Sequence, residues 1–445
     1  MLFLTRVHNV IWDEAVYIGM GKWIYSLGTA GIWEMIRPPV LPLLIGLLWK
    51  IGLSPVLFGE VLSTLFGIGT LAMVYLIGKR LYDPSTGTLA ALFLAGMPLY
   101  YQWTTPILTE NPATFFLLIG LWLLLEEKYT ASGALFGVAA LTRFPHALGF
   151  AAVVSAVGFL RENKGFEDIK KLVMGFCVPL TPFLIFNYLM YRPETSVWWH
   201  AVFRPWILAS THVGNPTEIT GTYFTYLFAE NIFLVGAILG AFFAVRAKDK
   251  KTLPLWMLLL FFAGFYSLIP NKQLRFATSF LPYLCLVAAY GLNTLIDKKY
   301  RRGVYALVLI WIAFFSWPAI DTIYQWRFTA EPPLVSEYAR FPATLEGPIL
   351  TADPLPVAYT DALYYPYYYS PNEATALVQP HLTTAQAVIW TDAFYCVDAA
   401  CREKVEALHT LLSTGRPVLF NGTYLGREYV IYGLLDYRGP VDPMG

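Results

Sequence analysis

Charge is scarce in this sequence. Only 14% of its 445 residues are charged, while 57% are hydrophobic and 17% aromatic. A soluble protein carries roughly a quarter charged residues, so most of this surface faces something other than water. The net charge of +1 leaves no basic excess to meet phosphates, which excludes a nucleic-acid partner. No GxGxxG or P-loop sequence is present, so nothing marks a nucleotide cradle. Nor does the start read as a signal peptide, because Asp13 and Glu14 arrive too soon for an apolar core and cleavage site. Cysteine is rare as well, with four in all. Cys177 and Cys285 lie in apolar runs and are expected to be small buried hydrophobes. Cys396 and Cys401 fall five apart in a polar region, where a disulfide fits an extracytoplasmic compartment. A CxxxxC zinc half-site is the alternative, and it lacks a second pair.

Long apolar runs are abundant. They cover about 55–78, 86–102, 111–125, 131–143, 146–160, 172–190, 223–245, 254–270, 277–296 and 303–320. A span needs about 20 residues, so the shorter runs must borrow from their flanks. The stretch 38–53, "PPVLPLLIGLLWKIGL", is short and opens on two prolines, and is expected to lie in the membrane interface. The basic residues give the orientation. Between Lys79 and Arg302 there are 20 Lys and Arg, and 15 of them fall in five clusters occupying every second loop. Those loops are expected to be cytoplasmic. Arg143, Arg192, Arg204, Lys272 and Arg275 all fall on the opposite face. The predicted fold class is therefore an α-helical polytopic membrane protein with about ten visible spans plus interfacial helices. Residues 1–322 form the membrane domain, with an outer loop at 10–54, and residues 323–445 a small extracytoplasmic α/β domain. The outer placement of Asp13 and Glu14 implies a preceding span, so the natural start is expected upstream.

From about residue 325 prolines cluster, and then "GPILTADP", "AVIWTDA" and "YVIYGLLDY" read as strands. "CREKVEALHTLLSTG" reads as an amphipathic helix ended by Gly415. The tyrosine-rich "YTDALYYPYYYS" has two open readings: stacking on sugar rings, or burial against its own sheet or the membrane domain. Asn421-Gly422-Thr423 is a formal glycosylation sequon.

The outer loops collect ionisable residues. Asp13 and Glu14 open "DEAVYIGMGKWIYSLG", and Arg37 precedes the rigid "RPPVLP". Glu110 stands in "TPILTENPATFF", Arg143 in "LTRFPH", and Lys272 and Arg275 in "NKQLRF". A single such charge is most simply an interfacial anchor, but carboxylates and cations gathered on one membrane face are costly unless paired or functional. A carboxylate can take a proton from a hydroxyl, and cations can hold and stabilise a departing phosphate. Together they suit transfer of a sugar from a lipid-phosphate carrier to an acceptor hydroxyl.

The motifs "WDEAVYIGMGKWI", "RPPVLPLL", "LTENPATFF", "ALTRFPHAL" and "NKQLRFATSFLPYL" resemble, in order, those of the GT-C membrane glycosyltransferases. The closest branch holds the protein O-mannosyltransferases and aminoarabinose transferases, and the resemblance spans residues 12 to about 290. It implies a polyprenyl-phosphate-sugar donor and a lipid, glycan or protein acceptor. Asp13 would act as base or orient the acceptor, with Glu14 its neighbour and Glu110 the second acid. Lys272 and Arg275 would grip the carrier phosphate, with Arg143 as an additional partner. From their places in the outer loops, Arg37 is a further candidate for substrate binding and Arg204 one that could reach a phosphate. The family setting implies a multi-pass plasma-membrane protein in contact with lipid. "WWH" at Trp198, Trp199 and His200 is not the WWD-type motif of oligosaccharyltransferases, which argues against en bloc glycan transfer. Metal use stays open: His200 and His212, with Glu110 or Asp13, are candidate ligands for a divalent ion, and packing within the loop is the other reading of the two histidines. The competing readings are a transporter or flippase and a glycan-binding receptor. A transporter should carry mid-span charges and repeats, and neither is found; a receptor leaves the gathered charges without a task.

Overall fold

Apolar runs with few helix breakers can satisfy their backbone only internally when water is excluded, which is why they become helices. In the computed structural model the described residues are 7–8, 10–34, 37–160, 165–190, 221–247, 250–269, 272–329, 347–368, 371–391, 399–424 and 427–434. The helices in chain order are α1 (Trp12–Tyr25), α2 (Val40–Lys50), α3 (Pro55–Leu81), α4 (Pro84–Ala95), α5 (Pro98–Thr104), α6 (Glu110–Leu125), α7 (Tyr129–Thr142) and α8 (Ala147–Leu160). They continue as α9 (Gly165–Met190), α10 (Thr222–Glu230), α11 (Gly236–Ala247), α12 (Leu253–Leu268), α13 (Leu281–Leu295), α14 (Arg301–Trp311) and α15 (Trp317–Arg327). A π turn at Ile312–Ser316 joins the last two. Among the described residues four helices are long and apolar enough to cross a membrane: 55–81, 165–186, 250–268 and 298–322. Seven more apolar helices are 10–17 residues long.

The chain divides into two compact units. One comprises residues 35–41 and 60–326, and its regular elements among the described residues are all helical. Its core gathers on α13, where Tyr283, Cys285, Leu286, Val287 and Ala288 are fully buried. Small residues let neighbouring backbones meet: a Cβ on Gly133 of α7 would lie 2.0 Å from the Leu172 carbonyl oxygen of α9, and one on Gly175 the same distance from that of Thr130. Asp83 caps α4, accepting from the Thr86 amide at 2.8 Å. Asn293 of α13 ties into that cap, donating to Asp83 Oδ2 at 3.0 Å and Thr86 Oγ1 at 2.9 Å. Cys285 is buried as expected, but Cys177 is exposed. It lies on α9, whose 18-residue apolar window is only 11% buried, so this face is left for lipid.

The other unit comprises residues 1–34, 42–59 and 327–445, so the N-terminal segment shares a unit with the C-terminal module. Two-residue strands β1 (Val7–His8) and β3 (Phe328–Thr329) pair antiparallel. The main sheet holds β2 (Gly31–Ile32), β4 (Ile349–Thr351), β5 (Leu363–Pro366), β6 (Ala387–Thr391), β7 (Val418–Tyr424) and β8 (Arg427–Tyr432). Its order is β2-β5-β4-β6-β8-β7. The four strands β2, β5, β4 and β6 are parallel, and β6, β8 and β7 are antiparallel. Central β4 and β6 are buried throughout, matching their unbroken apolar sequences. Helix α17 (Ala399–Ser413) covers the sheet with Leu408 and Leu412, α16 being Pro371–Val378. Gly415 follows α17 with φ +70°, as its predicted role in ending the helix requires.

The tyrosine-rich segment is settled in favour of burial for its strand. Tyr364 and Tyr367 are buried, and the Tyr367 hydroxyl donates to the Ile389 carbonyl at 2.6 Å. Tyr365 stacks on His381 at 3.7 Å. Cys401 is disulfide-bonded, and its expected partner Cys396 lies outside the described residues. Helix α2 occupies the stretch expected at the interface; Leu43, Leu47 and the following Ile51, one turn apart, are exposed.

Candidate functional site

Two 3-10 turns, one of them containing a proline, and one helix start build the charged site of the helical unit. Glu110 is the first residue of α6, where its carboxylate meets the positive end of the helix dipole. Pro112 follows within the first turn, where a missing amide hydrogen does no harm. Arg143 caps the end of α7 in extended conformation, because Pro145 disfavours helix just beyond it. The chain then reverses through a 3-10 turn, Phe144–His146, into α8. Arg275 lies on a second 3-10 turn, Leu274–Ser279, between α12 and α13.

These elements bring three charges together. Arg143 Nη1 lies 3.1 Å from Glu110 Oε1, and Arg275 Nε lies 3.3 Å from the same oxygen. The side chains are nearly enclosed, with 1% exposure for Glu110, 14% for Arg143 and 15% for Arg275. Neither contact has hydrogen-bond alignment, so the trio is held as charges rather than as a guanidinium–carboxylate fork. Both guanidiniums are also fixed from outside. Arg143 Nη1 donates to Thr109 Oγ1 at 3.2 Å and Nε to the Tyr266 hydroxyl at 3.4 Å. Arg275 Nε donates to Gln273 Oε1 at 2.6 Å. Phe276 lies beneath both, 4.9 Å from the Arg143 guanidinium and 5.7 Å from that of Arg275. Two cations thus converge on one carboxylate, an arrangement of donors that can also receive an anionic ligand.

Lys272 stands in the same loop but faces elsewhere. Its ammonium donates to the Ser267 carbonyl at 2.7 Å, to Tyr266 at 3.4 Å and closely to Ile269. It thereby closes the C-terminal end of α12, where a cation is favourable. Arg37 is half-buried at the turn before Pro38. Asp13 and Glu14 belong to the other unit, in the first turn of α1. Asp13 is half-buried, while Glu14 is fully buried and accepts from the Ile11 amide at 2.7 Å. That is the return arm of a capping box. Arg204, His200, His212 and Cys396 lie outside the described residues. Among the described residues no three His, Cys, Asp or Glu side chains gather to hold a metal ion.

The motifs did not single out the residues that support the trio. Thr109, Tyr266, Gln273 and Phe276 flank the quoted motif charges in sequence, and this adjacency was the one available signal. His146 is fully buried, with Nε2 3.4 Å from Thr114 Oγ1 and its amide donating to the Arg143 carbonyl at 2.8 Å. Thr114 is one turn beyond Glu110 on α6, so His146 fastens the Arg143 turn to the helix carrying Glu110.

The architecture is similar to that of solved GT-C membrane glycosyltransferases, the fold that the sequence motifs led one to expect. Residues 36–189 match the family model described as dolichyl-phosphate-mannose-protein mannosyltransferase. ArnT from Cupriavidus metallidurans bound to undecaprenyl phosphate is similar in structure, at TM-score 0.67 and 15% identity over 98% of this chain and 96% of that one. Its apo state gives 0.69 at 13% identity over the same shares. The archaeal oligosaccharyltransferase AglB from Archaeoglobus fulgidus, in complex with an inhibitory peptide and a dolichol-phosphate, gives 0.57 at 10% identity over 86% and 66%. At such identities these likenesses establish the fold. No curated protein matches the sequence significantly.

Proposed function

We propose that this protein transfers a monosaccharide from a polyprenyl-phosphate carrier to an acceptor hydroxyl, at the outer face of the plasma membrane. About ten spans would carry the site, with the α/β unit outside. The observation that carries this reading is the enclosed trio of Arg143, Arg275 and Glu110, whose two converging guanidiniums offer donors of the kind that hold a carrier phosphate. Binding of undecaprenyl phosphate and dolichol-phosphate by proteins of the same fold supports it.

In this mechanism Arg143 and Arg275 hold the phosphate and stabilise the charge it gains as the anomeric C–O bond breaks. Glu110 holds the two guanidiniums at a fixed spacing. Lys272 acts by closing α12 and so positions the loop carrying Arg275. Arg37 and Arg204 are further phosphate partners, and Glu14 fixes the start of α1 and thereby Asp13. Asp13 accepts the proton of the acceptor hydroxyl as its oxygen bonds to the anomeric carbon. The displacement is single and inverts the anomeric centre; the leaving group is the polyprenyl phosphate. The acceptor is a hydroxyl on a lipid, glycan or protein. A divalent ion held by His200 and His212 would be an addition to this scheme, not a requirement.

The test is sugar transfer by purified protein in lipid from a set of radiolabelled polyprenyl-phosphate monosaccharides. Asp13→Asn should remove most turnover while leaving donor binding largely intact, and Arg275→Ala should weaken donor binding as well. Normal turnover in Asp13→Asn would sink its assignment as base. Absence of transfer and of donor binding across the whole set, with folded protein, would favour a transporter.

A further inference from the structure

A cleft of about 450 Å³ opens in the α/β unit, built wholly from residues of that unit. Its walls include Lys22 of α1, Trp49 of α2, Val56 and Leu57 of α3, and Tyr359 and Asp361 of the segment before β5. None of the residues assigned to the transfer reaction lines it. Its size falls within the range of small-molecule sites.

The polar end of the cleft is unusually constrained. Lys22 is almost fully buried, with 3% side-chain exposure. Its ammonium donates to the carbonyls of Val357 at 3.0 Å, Thr360 at 2.7 Å and Ala358 at 3.4 Å. It also lies 3.2 Å from Asp361 Oδ1. An ammonium has three protons, so Lys22 has nothing left to offer an anion. Asp361 differs: its side chain is 66% exposed. Oδ1 is occupied by Lys22 and by the Trp49 indole N–H at 3.0 Å, whereas Oδ2 accepts no hydrogen bond among the described residues. Because Lys22 already balances its charge, Asp361 does not call for a cation.

The cleft therefore rejects anions, does not need cations, and presents a fixed, strong hydrogen-bond acceptor beside an apolar wall. Val56, Leu57 and the rings of Trp49 and Tyr359 supply that wall. A pyranose ring matches it, having an apolar C–H face and hydroxyl donors around its edge. We infer that this cleft binds a neutral saccharide, with Asp361 Oδ2 accepting ring hydroxyls and the Trp49–Leu57 wall receiving the C–H face. The inference stands apart from the transfer reaction, since binding here needs neither donor nor turnover.

The experiment is saturation-transfer-difference NMR on the full chain in lipid nanodiscs, without any lipid-phosphate donor. The probes are methyl glycosides of mannose, glucose, galactose and N-acetylglucosamine. At least one should bind the wild type. Asp361→Asn keeps the shape but weakens the acceptor, and should lower affinity about tenfold. Leu57→Trp adds bulk to the apolar lining while leaving the Asp361 carboxylate in place, and should abolish binding. Thermal melts establish that each variant is folded. Failure of every probe to bind the wild type overturns the inference. So does binding that persists unchanged in both folded variants, because the sugar would then sit elsewhere. A carrier-transfer defect leaves this readout untouched, so the two proposals fail separately.

Discussion

Replacing Glu110 by Gln keeps the volume of the side chain but removes the negative charge that Arg143 and Arg275 share. Two largely enclosed guanidiniums then lose their common carboxylate. Removing one partner of a buried ion pair typically destabilises by about 3–5 kcal/mol. The exposures of 1%, 14% and 15% place this site in the buried regime, so no large discount for solvent is due. For a large helical unit that loss corresponds to a fall on the order of 10 °C in the melting midpoint. Arg275→Gln should be milder, because it leaves a neutral Arg143–Glu110 pair. The argument has a second arm. A polyprenyl phosphate supplies the missing negative charge, so it should rescue Glu110→Gln more than wild type. A ligand present at a hundred times its Kd stabilises by about 2.7 kcal/mol. The assay is thermal unfolding of detergent-solubilised protein followed by fluorescence-detected size exclusion, with and without polyprenyl phosphate. Wild-type stability in Glu110→Gln without added phosphate would refute the charge accounting. Equal shifts with phosphate in Glu110→Gln and Arg275→Gln would refute the assignment of the trio to an anion.

Gly133→Val should sharply reduce the folded yield, measured by size exclusion, because its Cβ would meet the Leu172 carbonyl oxygen at 2.0 Å; a normal yield would mean that α7 and α9 separate easily. Cys401→Ser, or reductant on the wild type, should destabilise the α/β unit by roughly 2–5 kcal/mol, read as a lower melting midpoint. Burial lowers the pKa of Lys22 below its usual 10.5, against the smaller opposing pull of Asp361. The folded state therefore binds fewer protons than the unfolded one as pH approaches 10.5 from below, and stability gains with pH in that window. The wild type should gain on Lys22→Met over that interval in melts at stepped pH, and a falling difference would reverse the sign assigned to burial.

Much of the helical layout is legible in the sequence, since each of the ten apolar runs carries helix. The breaks within two runs also have visible causes. Pro98 starts a new helix after α4, and Asn231 caps the 3-10 turn before α11 by accepting from the Phe233 amide at 3.0 Å. Each stretch expected as a strand, 347–354, 387–393 and 429–437, carries one, at Ile349–Thr351, Ala387–Thr391 and Arg427–Tyr432, because its apolar or β-branched residues suit a sheet. The strand at Gly31–Ile32 is not legible, for it is two residues long and its partner Leu363–Tyr364 lies over three hundred residues away. At the site, motif order led to Glu110, Arg143 and Arg275, because charges in an apolar sequence are conspicuous. Roles were harder to read. Glu14 and Lys272 carry the same charge signal, yet both are engaged in closing helix ends, a use that only the positions of backbone groups reveal.

The strand pairing of Gly31–Ile32 with Leu363–Tyr364 imposes a schedule on biosynthesis. The edge of the sheet is translated near the beginning, and its central strand Ile349–Thr351 about 320 residues later. At ribosomal speeds of about 5–20 residues per second, the early strand waits roughly a quarter of a minute to a minute for its partners. During that interval Lys22 has none of the carbonyls that later enclose it. A ribosome that stalls between Arg327 and Ile349 would therefore leave the helices made but the sheet without its central strands.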